Sequence, residues 1–147
     1  MKTCQECAEF VIQIFPEYNI VLQKHFADYG ELLGHVFFTD IFFYPEKNIG
    51  LLELLESNQN QELIKKYCNL IELFWKEGNA DMQNIICVSL LEHIADNQII
   101  WLNFGKYISN DFKRFINTDF LKNNCMVNQI TLPYAKKKIL RRRKKCK

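Results

Sequence analysis

The stretch QELIKKYCNLIELFWKEGNADMQNIICVSLLEHIA, residues 61–95, decides the fold. Between Gln61 and Glu77, Leu63, Ile64, Tyr67, Leu70, Ile71 and Phe74 recur at the spacing of one helical face. Glu62–Lys66 and Glu72–Lys76 stand four apart elsewhere on the same helix, where such ion pairs add roughly a few tenths of a kcal/mol. Gly78 offers a left-handed helix end and Asn79 a cap for the next helix. Two turn residues bring the second segment back antiparallel to the first. That segment, Ala80 to Ala95, carries Ile85, Ile86, Cys87, Val88, Leu90, Leu91 and Ile94 on nearly every side, the pattern of a central helix.

Upstream, the same periodicity continues. Thr3 and Glu6 form a capping-box pattern, and Cys4, Cys7, Ala8, Val11, Ile12 and Phe15 follow as one apolar stripe. Pro16 stops this helix and can open the next. There Tyr18, Val21, Leu22, His25, Phe26 and Tyr29 repeat the spacing before Gly30. A third helix is expected from Glu31 to Tyr44: Val36, Phe37, Phe38, Ile41, Phe42 and Phe43 would equally suit a strand, but the polar Glu31, His35 and Thr39 line up four apart. Pro45 ends it, and a fourth helix spans about Ile49 to Glu56. Downstream of Asp96-Asn97, Trp101, Leu102, Tyr107, Ile108, Phe112, Phe115 and Ile116 mark a last helical region. The pattern is lost after Asn123, although Val127 to Leu132 suits a short extended piece.

The expected architecture is therefore all-α: one bundle of about six to seven antiparallel helices, or an irregular solenoid-like stack. Residues 1–122 would form the helical domain, 123–135 a linker or short extended segment, and 136–147 a disordered basic tail. A length of 147 residues fits one domain, and a 48% hydrophobic, 14% aromatic composition excludes a disordered chain. Three prolines and five glycines argue against a turn-dense β-sandwich. No charge-free apolar run reaches the roughly 20 residues of a membrane span, and Glu6 and Glu9 interrupt the stretch a signal peptide would need. A cytoplasmic location is expected.

Charge is concentrated at one end. The net charge is +2, yet residues 136–147 (KKKILRRRKKCK) hold nine of the 19 Lys and Arg and none of the 17 Asp and Glu. The first 135 residues thus carry ten basic and 17 acidic side chains, a net −7. Arg141, Arg142, Arg143, Lys144 and Lys145 could bind a phosphate backbone, which makes a nucleic-acid-associated protein the alternative functional reading. No aromatic residue interleaves these cations as a single-strand groove would require.

Catalytic motifs are missing from the sequence: there is no Gly-rich phosphate loop, nucleophile elbow or His-Glu-x-x-His. Cys4-x-x-Cys7 has redox and metal spacing but neither a βαβ context nor a second pair, and both cysteines sit on the apolar stripe of the first helix. Six cysteines without a secretory signal read as reduced thiols. Asp28, Glu31, His35 and Asp40 form a polar line that suits an acid–base or metal cluster, or more simply a polar helix face. Glu92 is an ionised side chain in the middle of the most apolar helix, so it should reach a partner or open onto a pocket or partner surface. These five residues are the candidate partner-binding or pocket residues. No cofactor and no metal are expected.

Two segments carry a family resemblance. DYGELLGHVFFTD (Asp28–Asp40) resembles a (D/N)-x-GE-LL-x-H-hydrophobic-F-x-D pattern, and GNADMQNIICVSLLE (Gly78–Glu92) resembles a G-(2–3 polar)-V-x-N-hydrophobic-I-x-V-S-F-L-E pattern. In order and separation they are similar to those of a family of small, all-helical bacterial proteins of uncharacterised function, associated with polymorphic-toxin loci and regarded as immunity proteins. The resemblance spans roughly Phe10 to Phe115, excludes the basic tail and brings no catalytic residues. It implies a non-enzymatic protein that neutralises a cognate toxin by occluding its functional surface. An acidic body suits steering towards a basic partner such as a nuclease.

Overall fold

A capped first turn starts the chain. In the computed structural model, which describes residues 1–136, Thr3 Oγ1 accepts the Glu6 N–H (3.1 Å) and Glu6 Oε1 accepts the Thr3 N–H (3.2 Å). These bonds hold the Glu6 carboxyl below the usual carboxylate range. Helix α1 (Cys4–Ile14) buries Cys7, Ala8 and Val11. Pro16 opens a single 3₁₀ turn (Pro16–Tyr18) that leads into α2 (Asn19–Tyr29), which Gly30 ends in the left-handed region at φ 73°.

The helices that follow are α3 (Gly34–Phe43), α4 (Leu51–Ser57) and α5 (Gln61–Glu77). The expected start of α3 at Glu31 is not observed. Residues 31–33 form a loop that meets His25, so Glu31 and His35 do not share a helical face. After α5 a rod runs from α6 (Ala80–Ile85) through π-helical turns (Ile86–Leu91) to α7 (Glu92–Ala95). The expected last helical region divides into α8 (Gln98–Gly105) and α9 (Asn110–Phe115), the latter prolonged by a π turn (Ile116–Phe120). Counting the α6–α7 rod once, the described residues contain eight helical rods and no strand.

The hairpin at residues 61–95 forms as its pattern requires, with two local departures. Gly78 is extended (φ −70°, ψ 151°) rather than left-handed. Its small size is nonetheless needed, because a Cβ there would lie 2.8 Å from the Met82 Cβ. The turn also receives the N-terminus: the Lys2 N–H donates to Glu77 O (2.7 Å) and the Asn79 N–H to Lys2 O (2.8 Å). The second departure is in the charges. Glu62 pairs with Lys65 at 3.7 Å instead of Lys66, and Glu72 Oε1 accepts the Ser109 N–H at 2.7 Å, tying α5 to the start of α9.

Aromatic side chains join these elements into one core. Tyr67 of α5 stacks on Phe15 and its hydroxyl lies 2.6 Å from that of Tyr18, both tyrosines being buried. At the other end, Trp101 of α8 lies beside Phe104 and Phe120, and Phe112 of α9 stacks on Trp75.

A strap from Val127 to Ala135 crosses α8 and α9 without sheet pairing. Its backbone bonds are made by side chains instead. Asn117 accepts the Leu132 N–H (2.8 Å) and donates to Leu132 O (2.9 Å), and Asn110 accepts the Ala135 N–H (2.9 Å). Trp101 Nε1 donates to Ile130 O (2.7 Å), and Leu132 is buried close to Gly105.

Candidate functional site

Helices α2 and α3 meet across a recess of about 250 Å³ that receives two of the five predicted residues, Asp28 and Asp40. The geometry begins with Gly30. Its left-handed turn ends α2 and sends residues 31–33 back past the helix, where the Leu33 N–H donates to His25 Nε2 at 2.9 Å. That bond occupies one ring nitrogen of a buried histidine packed between Tyr29 and Phe37. His25 therefore acts as a cross-brace beneath the recess, with Nε2 already spent on the backbone.

Above it the walls are acidic and aromatic. Asp28 and Asp40 line the recess with Tyr29, Tyr44 and Ile20, and these last three are 51%, 64% and 58% exposed. Lys24 at the rim lies 3.8 Å from Glu46, so its charge is matched locally and the two aspartates remain as net negative charge. Desolvation lifts the Asp40 carboxyl above its ordinary value, with nearby His25 acting in the opposite direction. The volume falls below the roughly 300–1,000 Å³ of small-molecule pockets. A recess of this size, lined by exposed carboxylates beside phenol rings, suits the end of one cationic side chain.

The other three predicted residues lie elsewhere. His35, at the start of α3, is directed to the π-helical part of the α6–α7 rod, where its Nδ1 lies 2.5 Å from Ser89 Oγ. Glu31 is exposed in the loop. Glu92 is half-buried on α7, and its charge raises the Cys87 thiol further after burial has pushed it up, to about 11. The predicted polar line is thus divided: Asp28 and Asp40 share one recess, while His35 turns to a serine. Among the described residues, no three His, Cys, Asp or Glu side chains gather as metal ligands would.

Periodicity did not identify Ser89. Its pattern, a serine among aliphatic residues, reads as a tolerated core position, and nothing in the local sequence announces a π turn. Tyr44 and Tyr29 were readable as helix-end residues but not as the rim of a site.

The Cys4-x-x-Cys7 pair belongs to the packing of α1. Burial pushes Cys7 up to about 12 and raises Cys4 as well, and Cys68 on α5 is raised by the same cause. A thiol that resists ionisation is a poor nucleophile and a poor metal ligand.

Arg141, Arg142, Arg143, Lys144 and Lys145 lie outside the described residues. Within them, no helix is long and apolar enough to cross a membrane. No curated protein and no solved structure matches the chain. A family model does match, over residues 8–122, which includes the α2–α3 recess, the π-helical rod and α9. The chain therefore belongs to the family described as a domain of unknown function (DUF7674).

Proposed function

We propose that the protein is a non-enzymatic binding protein, an immunity protein that neutralises a cognate bacterial toxin in the cytoplasm by occluding its functional surface. The observation that carries this reading is the α2–α3 recess, lined by the exposed carboxylates of Asp28 and Asp40 beside exposed Tyr29, Tyr44 and Ile20. Tyrosine beside charge is the composition of interface hot spots, where a partner side chain is desolvated by an aromatic surround. A lysine or arginine of a basic toxin would enter between the aspartates. The net −7 of residues 1–135 would speed the encounter by long-range attraction. The likeness of Asp28–Asp40 and Gly78–Glu92 to proteins of polymorphic-toxin loci supplies the partner class.

The test is co-expression with the product of the neighbouring toxin gene. Rescue of growth and co-purification are expected. The double substitution Asp28→Asn with Asp40→Asn should weaken the complex about tenfold or more while leaving the helical circular dichroism unchanged. If the parent protein neither rescues nor forms a complex, the reading fails. If it does both and the double variant behaves identically, the α2–α3 face is not the interface.

A further inference from the structure

A second cavity, of about 650 Å³, lies between α8 and the C-terminal strap. Ile99, Leu102 and Asn103 of α8 form one wall, Pro133 and Tyr134 of the strap another, and Lys113 of α9 also lines it. Its volume is within the roughly 300–1,000 Å³ range of ligand sites.

Lys113 makes this cavity unusual. The residue is only 3% exposed, and among the described residues its ammonium makes no ion pair and no hydrogen bond; because no fully enclosed side-chain nitrogen lacks a partner there, that ammonium opens onto the groove it lines. It stands between Asn110 and Asn117 on the face of α9 that the strap crosses, and those two asparagines hold the strap's backbone on either side of Pro133 and Tyr134. Desolvation lowers its pKa, as expected for a part-buried ammonium without a counter-charge. Buried charges in proteins are ordinarily paired. The opening that Lys113 lines is mostly aliphatic and aromatic, with Lys106 as a further cation at its edge, itself bonded to Asn103 Oδ1 at 3.0 Å.

We infer that this groove binds a small organic carboxylate with an apolar body, its head paired with Lys113 and its body lying between α8 and Tyr134. The apolar body would cover Ile99 and Tyr134, which are 62% and 50% exposed. Because Pro133 and Tyr134 form a wall, the site exists only while the asparagine-held strap is docked. Binding and docking are then linked, and the ligand stabilises the strap. This site is separate from the α2–α3 recess, and neither reading depends on the other.

The probe is decanoate, titrated below its micelle concentration into the full-length protein by calorimetry, with 1-decanol as the uncharged counterpart and acetate as the anion without a body. Decanoate is expected to bind once per chain, at least tenfold tighter than 1-decanol, with acetate weaker still. Lys113→Met should remove that preference, reducing decanoate affinity about tenfold and leaving 1-decanol unchanged. Asn117→Ala, which keeps Lys113 but loosens the strap, should weaken both. Shifts in the NMR signals of Ile99 and Tyr134 on adding decanoate to the parent protein place the ligand independently of any variant. Failure of decanoate to bind, equal affinity for 1-decanol, or undiminished decanoate binding by Lys113→Met would each overturn the inference; the last would assign the binding to cations other than Lys113.

Discussion

Asp40 carries a cost in stability at the place where the proposed partner would bind. Desolvation raises its carboxyl pKa in the folded protein, so the folded state retains this proton to higher pH than the unfolded chain. Stability from this group therefore falls as pH rises from the unfolded carboxylate value, about 3.9, through the folded one. Asp40→Asn should be more stable than the parent at pH 7, with the difference closing below about pH 4. Urea unfolding across pH 3–8 reads this directly, and a variant less stable at pH 7 would contradict it. The thiols provide a second prediction at the same scale. Cys125 is exposed, whereas Cys7 and Cys68 are fully buried and their pKa values raised by burial. Alkylation at neutral pH followed by mass spectrometry should modify Cys125 in the native protein and Cys7 and Cys68 only on unfolding.

Among the elements, the strap and the π turns have the least local sequence support. Val127–Leu132 takes neither helix nor strand and has no strand partner among the described residues. Asn117 takes that role with its amide, offering Leu132 both an acceptor and a donor. Asn117→Ala should cost about 1–3 kcal/mol, the range for losing such bonds at a part-buried site. The effect should be local: hydrogen exchange at Leu132 accelerates while α5 remains as protected as in the parent. Uniform acceleration through α5 would show instead that the strap is integral to the global fold. The π turns at Ile86–Leu91 act differently, by changing which faces of the central rod meet α3. Ser89 is thereby brought to His35, a contact that an α-helical projection of residues 80–95 does not foresee.

For the whole molecule, the separation of charge bears on the proposed encounter. An acidic body of 135 residues carries a recess with two aspartates, and the opposite charge is gathered in residues 136–147. If the proposed partner is basic, its association rate should fall steeply between 50 mM and 500 mM salt while dissociation changes little. Stopped-flow mixing with the purified partner measures both. A salt-insensitive association rate would leave apolar contact through Tyr29, Tyr44 and Ile20 as the source of recognition. The family match ends at residue 122, before the strap begins. The Lys113 groove thus combines helices inside the matched region with a wall outside it, whereas the α2–α3 recess lies wholly within.

By itself the sequence determined the helical class, the hairpin at residues 61–95, the burial of α1's cysteine stripe and the acidic-body, basic-end division. Each follows from local periodicity, capping chemistry or plain counting, which need no knowledge of distant neighbours. Tertiary structure alone decided which polar residues meet. Asp28 joins Asp40 because the Gly30 turn folds α3 back on α2. His35 leaves that line because Glu31 is in a loop and π turns present Ser89, and Glu72 binds the Ser109 amide rather than Lys76. Lys113 reads as one more lysine on an amphipathic helix, and only the fold sets it beside a strap that begins some fourteen residues later. Contacts of this kind depend on side-chain packing between segments far apart in the chain, and periodicity carries no information about them.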